Sequence, residues 1–333
     1  MSTAITRFTT DALPAATRME YLRDSYARVA MAVDLKPLCH DSAFRLDMTV
    51  FPLSADAGVT SGLFSPCAFR RSPALAARAG VDAVLLTRFS QPYHFAGGAL
   101  PLMELAPGDT LVAPMDEAFE HVYPAAGAIR SVWVQRAALR KLLPRMDGRA
   151  RRLPPSPRLD LLFGYADSVR RDAAFDAPLA GVAAAHLTDL LALALGARGD
   201  AAEHARAGGE RAARLAALRA DVAREYRNPA LSVAHLAARH HVSVRYVQRL
   251  FEEDGTTFTA FLQGCRLAHV RRLLADPRHA RQMVGTLAYE AGFSDLAAFG
   301  RLFKRRFGVP PSQVRQEALG RAAHPPAPRQ AGG

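Results

Sequence analysis

The chain has 333 residues, of which 50% are hydrophobic and 22% charged, with 43 Lys and Arg against 31 Asp and Glu. This length leaves room for two domains with separate cores, and the mixed composition excludes a disordered, collagen-like or coiled-coil chain. The formal net charge of +12 predicts an acidic partner such as a nucleic acid. The sequence lacks a membrane-length apolar run and a secretory signal and has three dispersed cysteines, which predicts a cytoplasmic protein with reduced thiols.

The first 200 residues combine helical and strand-like patterns. An amphipathic stretch over 18–33 comes first. Short apolar alternations then cover 44–53, 83–89, 110–113 and 129–135. Turn sequences such as Pro107-Gly108-Asp109 separate these alternations, and together they predict a small β-barrel or sandwich.

Helical spacing returns over 161–169 and 178–195. The second of these segments carries an apolar stripe of four leucines, Leu187, Leu190, Leu191 and Leu195. Two interpretations stay open for the stripe, which are packing against the barrel and a homodimer interface. Three aromatic residues, Tyr93, His94 and Trp133, are candidates for a small-molecule pocket, although an ordinary structural role competes for each.

Small polar residues without apolar periodicity follow, over 197–209. We therefore predict that one domain spans 1–200 and that a linker spans 201–210. A second domain spans 211–318, and the Pro-, Ala- and Gly-rich end of the chain predicts a disordered tail over 319–333.

The positive charge is concentrated in the second domain. Residues 1–210 hold 23 basic and 22 acidic side chains, whereas residues 211–320 hold 18 basic and 9 acidic ones, a net charge of +9. The sequence thus predicts a near-neutral domain joined to a basic one.

The basic domain contains an internal repeat. Val233, Leu236, Ala237, His241 and Val242 recur 51 residues later as Val284, Leu287, Ala288, Gly292 and Phe293. Val247, Arg249, Leu250 and Phe251 recur 52 residues later as Phe299, Arg301, Leu302 and Phe303, so the second copy has one extra residue in its turn. This pattern predicts a helix-turn-helix motif present twice.

The second helix of the first copy is predicted over 243–254, with Ser243 as its N-cap. Val247, Leu250 and Phe251 share one face, and the opposite face shows Arg245, Gln248 and Arg249. Arg and Gln side chains carry the donors that read guanine and adenine edges in a major groove, so we predict that this helix reads base sequence.

The corresponding helix of the second copy starts after Asp295. Its early exposed positions hold small residues, Ala297, Ala298 and Gly300, and its later ones hold Arg301, Lys304 and Arg305. Small side chains can touch a thymine methyl group but make no bidentate hydrogen bonds. This helix should therefore contribute phosphate contacts more than base discrimination.

A single helix over 257–274 should join the two motifs, because apolar residues recur along it at helical spacing. At about 1.5 Å per residue it is about 27 Å long, which suits two recognition helices that enter successive major grooves.

Residues 211–318 resemble the DNA-binding domain of the AraC/XylS family of bacterial transcription regulators. The resemblance rests on LSVAHLAARHHVSVRYVQRLF in the first motif and on VGTLAYEAGFSDLAAFGRLFKRRFGVPPSQVR in the second. It places base-reading positions on Arg245, Gln248 and Arg249 and on Ala297, Ala298 and Arg301, and we add Tyr246, Lys304 and Arg305 as DNA contacts. His241 stands where the family usually has Gly, and we expect it to adopt a left-handed backbone at a modest cost.

The amino-terminal part is similar, more loosely, to the cupin-like sensing domain of the same family. The resemblance implies an α+β protein: a cupin-like barrel with flanking helices, then an all-α domain of two helix-turn-helix motifs joined by a linker helix. It also implies a bacterial activator that binds promoter DNA, contacts RNA polymerase and answers to a small-molecule effector, an aromatic or amine catabolite, with a homodimer as one option. His94 lacks the second histidine of the HxH pair that holds a metal in cupin enzymes, and Glu104, Glu120 and His121 do not complete the pattern.

We therefore expect no metal, no cofactor and no enzymatic activity. Two other functions stay open, which are an architectural or ligand-independent DNA-binding protein and, with less support, a cupin-like enzyme fused to DNA-binding helices.

Overall fold

The computed structural model describes residues 5–11, 13–26, 33–40, 43–97, 101–144, 146, 149–171 and 177–323. Contacts within the chain divide it into two compact units, and the division falls between Ala216 and Ala217. The last ten residues of the predicted tail, 324–333, lie outside the described residues, as do 27–32 of the first predicted helix.

The amino-terminal unit is built mainly of strands, with helices at its end. Its strands are β1 (Thr6–Thr9), β2 (Asp34–Pro37), β3 (Leu46–Pro52), β4 (Ala57–Phe64), β5 (Cys67–Arg71), β6 (Ala83–Phe89), β7 (Tyr93–Gly97), β8 (Met103–Leu105), β9 (Thr110–Pro114), β10 (Phe119–Tyr123), β11 (Gly127–Gln135) and β12 (Arg151–Leu153). Its helices are α1 (Arg18–Tyr26), α2 (Pro73–Ala79), α3 (Arg136–Arg140), α4 (Pro157–Arg171), α5 (Ala177–Ala194) and α6 (Gly199–Ala205).

The strands form two antiparallel sheets. One has the order β1-β3-β4-β11-β6-β9-β12 and the other β2-β5-β10-β7-β8. Alternation along β11 gives the large sheet two apolar faces: Val132 and Val134 join a core that includes residues of α4 and α5, whereas Ile129 and Ser131 line a cavity between the sheets. The four predicted strand segments coincide with β3, β6, β9 and β11.

The leucine stripe of α5 is part of the core. Leu187, Leu190 and Leu191 are buried in the cluster that they share with Leu162 and Phe163 of α4, and Leu195 packs against it half-buried. Packing within the unit is therefore the role that the structure gives these leucines.

The segment 201–210 differs from the predicted linker because it is helical. All of it belongs to α6 and to a π-helical turn over Arg206–Glu210, and this turn packs against α5. Gly209 permits the contact, since a Cβ atom there would lie 2.7 Å from both the Asp189 Cβ and the His186 carbonyl oxygen. The glycines serve a close approach here and not a flexible connection.

Helices alone make up the described part of the carboxy-terminal unit. They are α7 (Arg211–Glu225), whose first residues belong to the amino-terminal unit, α8 (Val233–Arg239), α9 (Val244–Glu253), α10 (Phe258–Ala275), α11 (Val284–Glu290), α12 (Leu296–Phe307) and α13 (Pro311–Ala323). The predicted α+β architecture, with a sheet-rich first part and an all-helical second part, is confirmed. Helix α13 extends five residues beyond the predicted domain end at 318.

The linker helix α10 contributes to two small cores. Near its start, Phe258 and Phe261 contact the ring of Phe251 on α9, at centroid distances of 6.1 and 5.7 Å. Further along, Leu267 and Val270 join a second core with residues of α11 and α12. In the described part of the chain, no helix is long and apolar enough to cross a membrane.

Candidate nucleic-acid interface

Two helix-turn-helix motifs, α8–α9 and α11–α12, have matching geometry. Side-chain oxygens cap both second helices: the Ser243 hydroxyl accepts a hydrogen bond from the Tyr246 N–H at 3.1 Å, and the Asp295 carboxylate accepts one from the Ala298 N–H at 2.9 Å. Four residues separate α8 from α9 and five separate α11 from α12, which confirms the extra residue predicted in the second turn.

Both turns begin with a residue in the left-handed region. His241 has a φ of 53°, and among the described residues it is the only non-glycine residue with a positive φ. Gly292, at the equivalent position of the second motif, has a φ of 93°. The surroundings explain the difference in residue type. The His241 side chain is exposed, whereas a Cβ on Gly292 would lie 2.9 Å from the carbonyl oxygens of Tyr226 and Arg227. The backbone conformation predicted for His241 is confirmed.

Ion pairs hold the first motif against α7. The Arg239 guanidinium donates to both carboxylate oxygens of Glu225, and the resulting hydrogen bonds hold the pKa of Glu225 below its usual value. His240 Nε2 lies 2.9 Å from the Asp221 carboxylate. These pairs fix α8, and through the turn they fix the direction of α9.

The polar face of α9 is open to solvent. Arg245, Gln248 and Arg249 are exposed, and Tyr246 is half-buried beneath the Arg249 guanidinium, which lies 5.3 Å from the ring centroid. Arg249 also has Glu253 at 3.9 Å, one helical turn further on. Glu252 and Glu253 lie at the carboxyl end of this exposed face, where their charge would repel a polyanion. Only the amino-terminal half of α9 therefore suits contact with DNA.

The exposed face of α12 has a different composition. Ala297 is exposed and Ala298 half-buried, whereas Arg301, Lys304 and Arg305 are all exposed. Arg306, which the sequence interpretation left out, is exposed beside them in the last helical turn, and the run RLFKRRF was the available signal for it. The basic end suits the negative end of the helix dipole as well as a phosphate group.

Several arginines away from the second helices have partners within the unit. Arg219 pairs with Asp254, Arg278 with Asp276, and Arg266 donates to the Tyr226 and Asn228 carbonyl oxygens at 2.7 and 2.9 Å.

By contrast, five basic side chains on α9 and α12 have no hydrogen-bond or ion-pair partner among the described residues. These are Arg245, Arg301, Lys304, Arg305 and Arg306. Unpaired, solvated cations on two capped helices are available for phosphate oxygens and base edges.

The three candidate effector residues lie in different surroundings. Tyr93 is buried and faces the space between the sheets, where it stacks on Tyr123 with a centroid distance of 5.2 Å. His94 lies on the opposite face of β7, half-exposed. Trp133 is buried in a small cluster with Leu85 and Met115.

Beside Tyr93 lies a cavity of about 40 Å³ between the two sheets. Residues that the sequence interpretation did not propose as effector contacts line it, among them Phe119, His121, Tyr123 and Ser131. Burial lowers the pKa of His121 to about 3, so this imidazole is neutral, and its Nδ1 lies 3.1 Å from the Tyr123 hydroxyl. Within the described residues, no group of three or more His, Cys, Asp or Glu side chains could hold a metal ion.

Two capped helices with exposed basic faces, each supported by its own small core, define a DNA-binding protein with two helix-turn-helix motifs. Comparison with known proteins agrees with this class. The helix-turn-helix domain family matches residues 236–317.

Curated relatives extend the match. Transcriptional activator RhrA of Rhizobium meliloti (strain 1021) is 29% identical over 221 residues, which cover 65% of this chain and 68% of RhrA. Transcriptional activator NphR of a Rhodococcus species is 36% identical over 87 residues, 26% of this chain and 25% of NphR. The crystal structure of the AraC-like transcriptional activator CuxR aligns with 86% of this chain and 100% of that chain, at a TM-score of 0.49 and 14% identity. Residues 236–317 therefore belong to a helix-turn-helix domain, and the chain is a DNA-binding transcription regulator similar to these activators.

Proposed function

We propose that this regulator activates transcription at specific promoters and that helix α9 supplies most of its base recognition. The unpaired basic face of α9 and α12 is the observation that supports this proposal. Arg245, Gln248 and Arg249 carry planar donor groups that can bind base edges in pairs. The first turn of α12 carries Ala297 and Ala298, which cannot make paired hydrogen bonds to bases. This helix therefore anchors the protein on phosphates through Arg301, Lys304 and Arg305.

The effector belongs in the barrel of the amino-terminal unit. The cavity of about 40 Å³ is much smaller than the roughly 300–1,000 Å³ of ligand pockets, so binding must displace side chains such as Phe119 or Tyr123. Among the described residues that line it there is no carboxylate, and His121 is neutral, so an ammonium group would be buried without a partner there. Of the two classes expected from the sequence, this favours an aromatic effector over an amine.

The partners follow from this role. The regulator acts in the bacterial cytoplasm, contacts RNA polymerase at the promoter and has no catalytic activity. A homodimer on paired half-sites would use a surface other than Leu187, Leu190 and Leu191, because these side chains are in the core.

Immunoprecipitation from the native cells, followed by sequencing of the bound DNA, tests whether the regulator binds specific promoters. We expect few sharp peaks, and an Arg245→Ala, Gln248→Ala double variant should lose them while keeping weak binding to all DNA. Diffuse binding by the unaltered protein would contradict promoter specificity and favour the architectural alternative. The effector is tested separately by DNA affinity with and without candidate aromatics, and a regulator whose affinity none of them changes would favour ligand-independent binding.

A further inference from the structure

A basic cleft lies beside the carboxyl end of α5, in the amino-terminal unit and outside the barrel interior. It consists of two neighbouring hollows that share Gly196 and Arg198, with volumes of about 590 and about 400 Å³. Both volumes fall in the range of small-molecule pockets, whereas the barrel cavity is far below it.

One hollow has an apolar wall. Leu142, Leu143 and Met146, from the segment after α3, face it together with Leu195 at the end of α5. All four side chains are half-buried and so still present apolar surface to a ligand. Covering that surface would contribute about 25 cal/mol per Å² of apolar area removed from water.

Positive charge surrounds the apolar wall. Arg151 and Arg198 line the first hollow, and Arg158, Arg198 and Arg206 line the second; among the described lining residues the acidic one is Glu203. Arg198 and Arg206 are exposed and have no hydrogen-bond or ion-pair partner among the described residues, and Arg158 donates only a long bond, 3.5 Å, to the Leu193 carbonyl oxygen. Planar guanidinium groups of this kind bind carboxylates through two parallel hydrogen bonds.

We propose that the basic cleft is a second ligand site, which binds an amphipathic carboxylate with its head on Arg198 and Arg206 and its apolar body on Leu143 and Leu195. A DNA backbone fits the arginines but not the apolar wall, because a phosphate chain would leave that wall uncovered. A neutral apolar molecule fits the wall but leaves Arg198 and Arg206 without a partner among the described residues. Only a molecule with both parts satisfies the lining that the structure describes.

Three ligands with the same body and different heads test the proposal: 4-phenylbutyrate, 4-phenylbutan-1-ol and 4-phenylbutylamine. Calorimetry on the full chain at pH 7 and low salt should show binding of the carboxylate, with at least tenfold weaker binding of the alcohol and none of the amine. Equal binding of all three, or no binding of the carboxylate, would overturn the proposal.

Variants locate the site. Arg198→Glu and Arg206→Glu should each weaken carboxylate binding about tenfold or more, whereas Arg78→Glu, an exposed arginine on α2 outside the basic cleft, should change it less than twofold. Circular dichroism confirms that each variant is folded. A carboxylate affinity unchanged by Arg198→Glu would refute the assignment.

Two further measurements separate this site from the others. Ser131→Leu, with Thr60→Leu as a second variant that fills the barrel cavity, should leave carboxylate binding intact; loss of binding in both folded variants would place the ligand in the barrel and overturn the proposal. Arg198→Glu should leave affinity for a specific DNA fragment within twofold, and a parallel loss of DNA binding would instead identify the basic cleft as a phosphate contact.

Discussion

The division of labour between α9 and α12 gives the sharpest prediction, through one substitution on each helix. Arg249→Ala removes a base-reading side chain, and Lys304→Ala removes a phosphate contact. We expect Arg249→Ala to cost about 1–3 kcal/mol on the specific site, or about 5- to 150-fold in affinity, and to relax base preference. Releasing Arg249 from Glu253 costs little, because an exposed pair at 3.9 Å contributes at most about 1 kcal/mol.

Lys304→Ala should weaken binding to every DNA sequence by a similar factor. One lost contact lowers the slope of log affinity against log salt by about 0.9, so the ratio of unaltered to variant affinity should fall about threefold between 50 and 200 mM salt. Lys304 has no partner to release among the described residues, and the full effect should therefore be visible.

Fluorescence anisotropy with the specific fragment and a scrambled one, over a series of salt concentrations, measures both effects. Arg278→Ala is the matched control, because it removes the same charge from a side chain that Asp276 already neutralises. If Lys304→Ala changed sequence preference, or if Arg249→Ala lowered affinity for both fragments equally, the proposed division between the helices would be refuted.

Three stability predictions follow from the same structure, and Trp133, the one tryptophan, reports on the amino-terminal unit by fluorescence. His241→Gly should relieve the left-handed strain and stabilise the carboxy-terminal unit by about 0.5–1 kcal/mol, seen in urea unfolding followed by circular dichroism with the Trp133 transition unchanged. Gly292→Ala should destabilise that unit by about 2–4 kcal/mol through strain and the 2.9 Å contacts of the new Cβ, and a loss under 1 kcal/mol would contradict the packing argument. His121 has a pKa of about 3 in the folded protein, below its value of about 6.5 in the unfolded chain. Its contribution to stability is therefore lost as the pH falls below 6.5, by about 1.4 kcal/mol per pH unit. The urea midpoint that Trp133 fluorescence reports should fall accordingly, and His121→Phe should reduce this dependence on pH.

The helical domain could be predicted in detail because the same helix-turn-helix pattern of apolar residues occurs twice in its sequence. The repeat fixed both second helices, their N-caps at Ser243 and Asp295 and the extra turn residue, and each agrees with the structure. It could not show which other arginines would be paired, because partners can lie far apart in sequence; Arg219 and Asp254, for example, are separated by 35 residues.

Less of the amino-terminal unit could be predicted, for two physical reasons. Short strands such as β8, with three residues, carry too few positions for alternation, and buried polar residues interrupt others, as His121 does in β10. A run of small residues is also compatible with two structures, a flexible linker and a close contact between backbones. The Ala- and Gly-rich stretch over 201–210 suggested a linker, whereas Gly209 is needed so that its backbone can pack against α5 at Asp189.

The arrangement of charge in the carboxy-terminal unit argues that its basic character serves binding. An arginine-rich composition alone would scatter cations over the surface, and many would be neutralised by chance. Here Arg219, Arg239 and Arg278 are paired with carboxylates, whereas Arg245 on α9 and Arg301, Lys304, Arg305 and Arg306 on α12 have no hydrogen-bond or ion-pair partner among the described residues. Because such a face attracts any DNA at low salt, base recognition by Arg245 and its neighbours becomes measurable only as the ratio of specific to scrambled affinity near physiological salt.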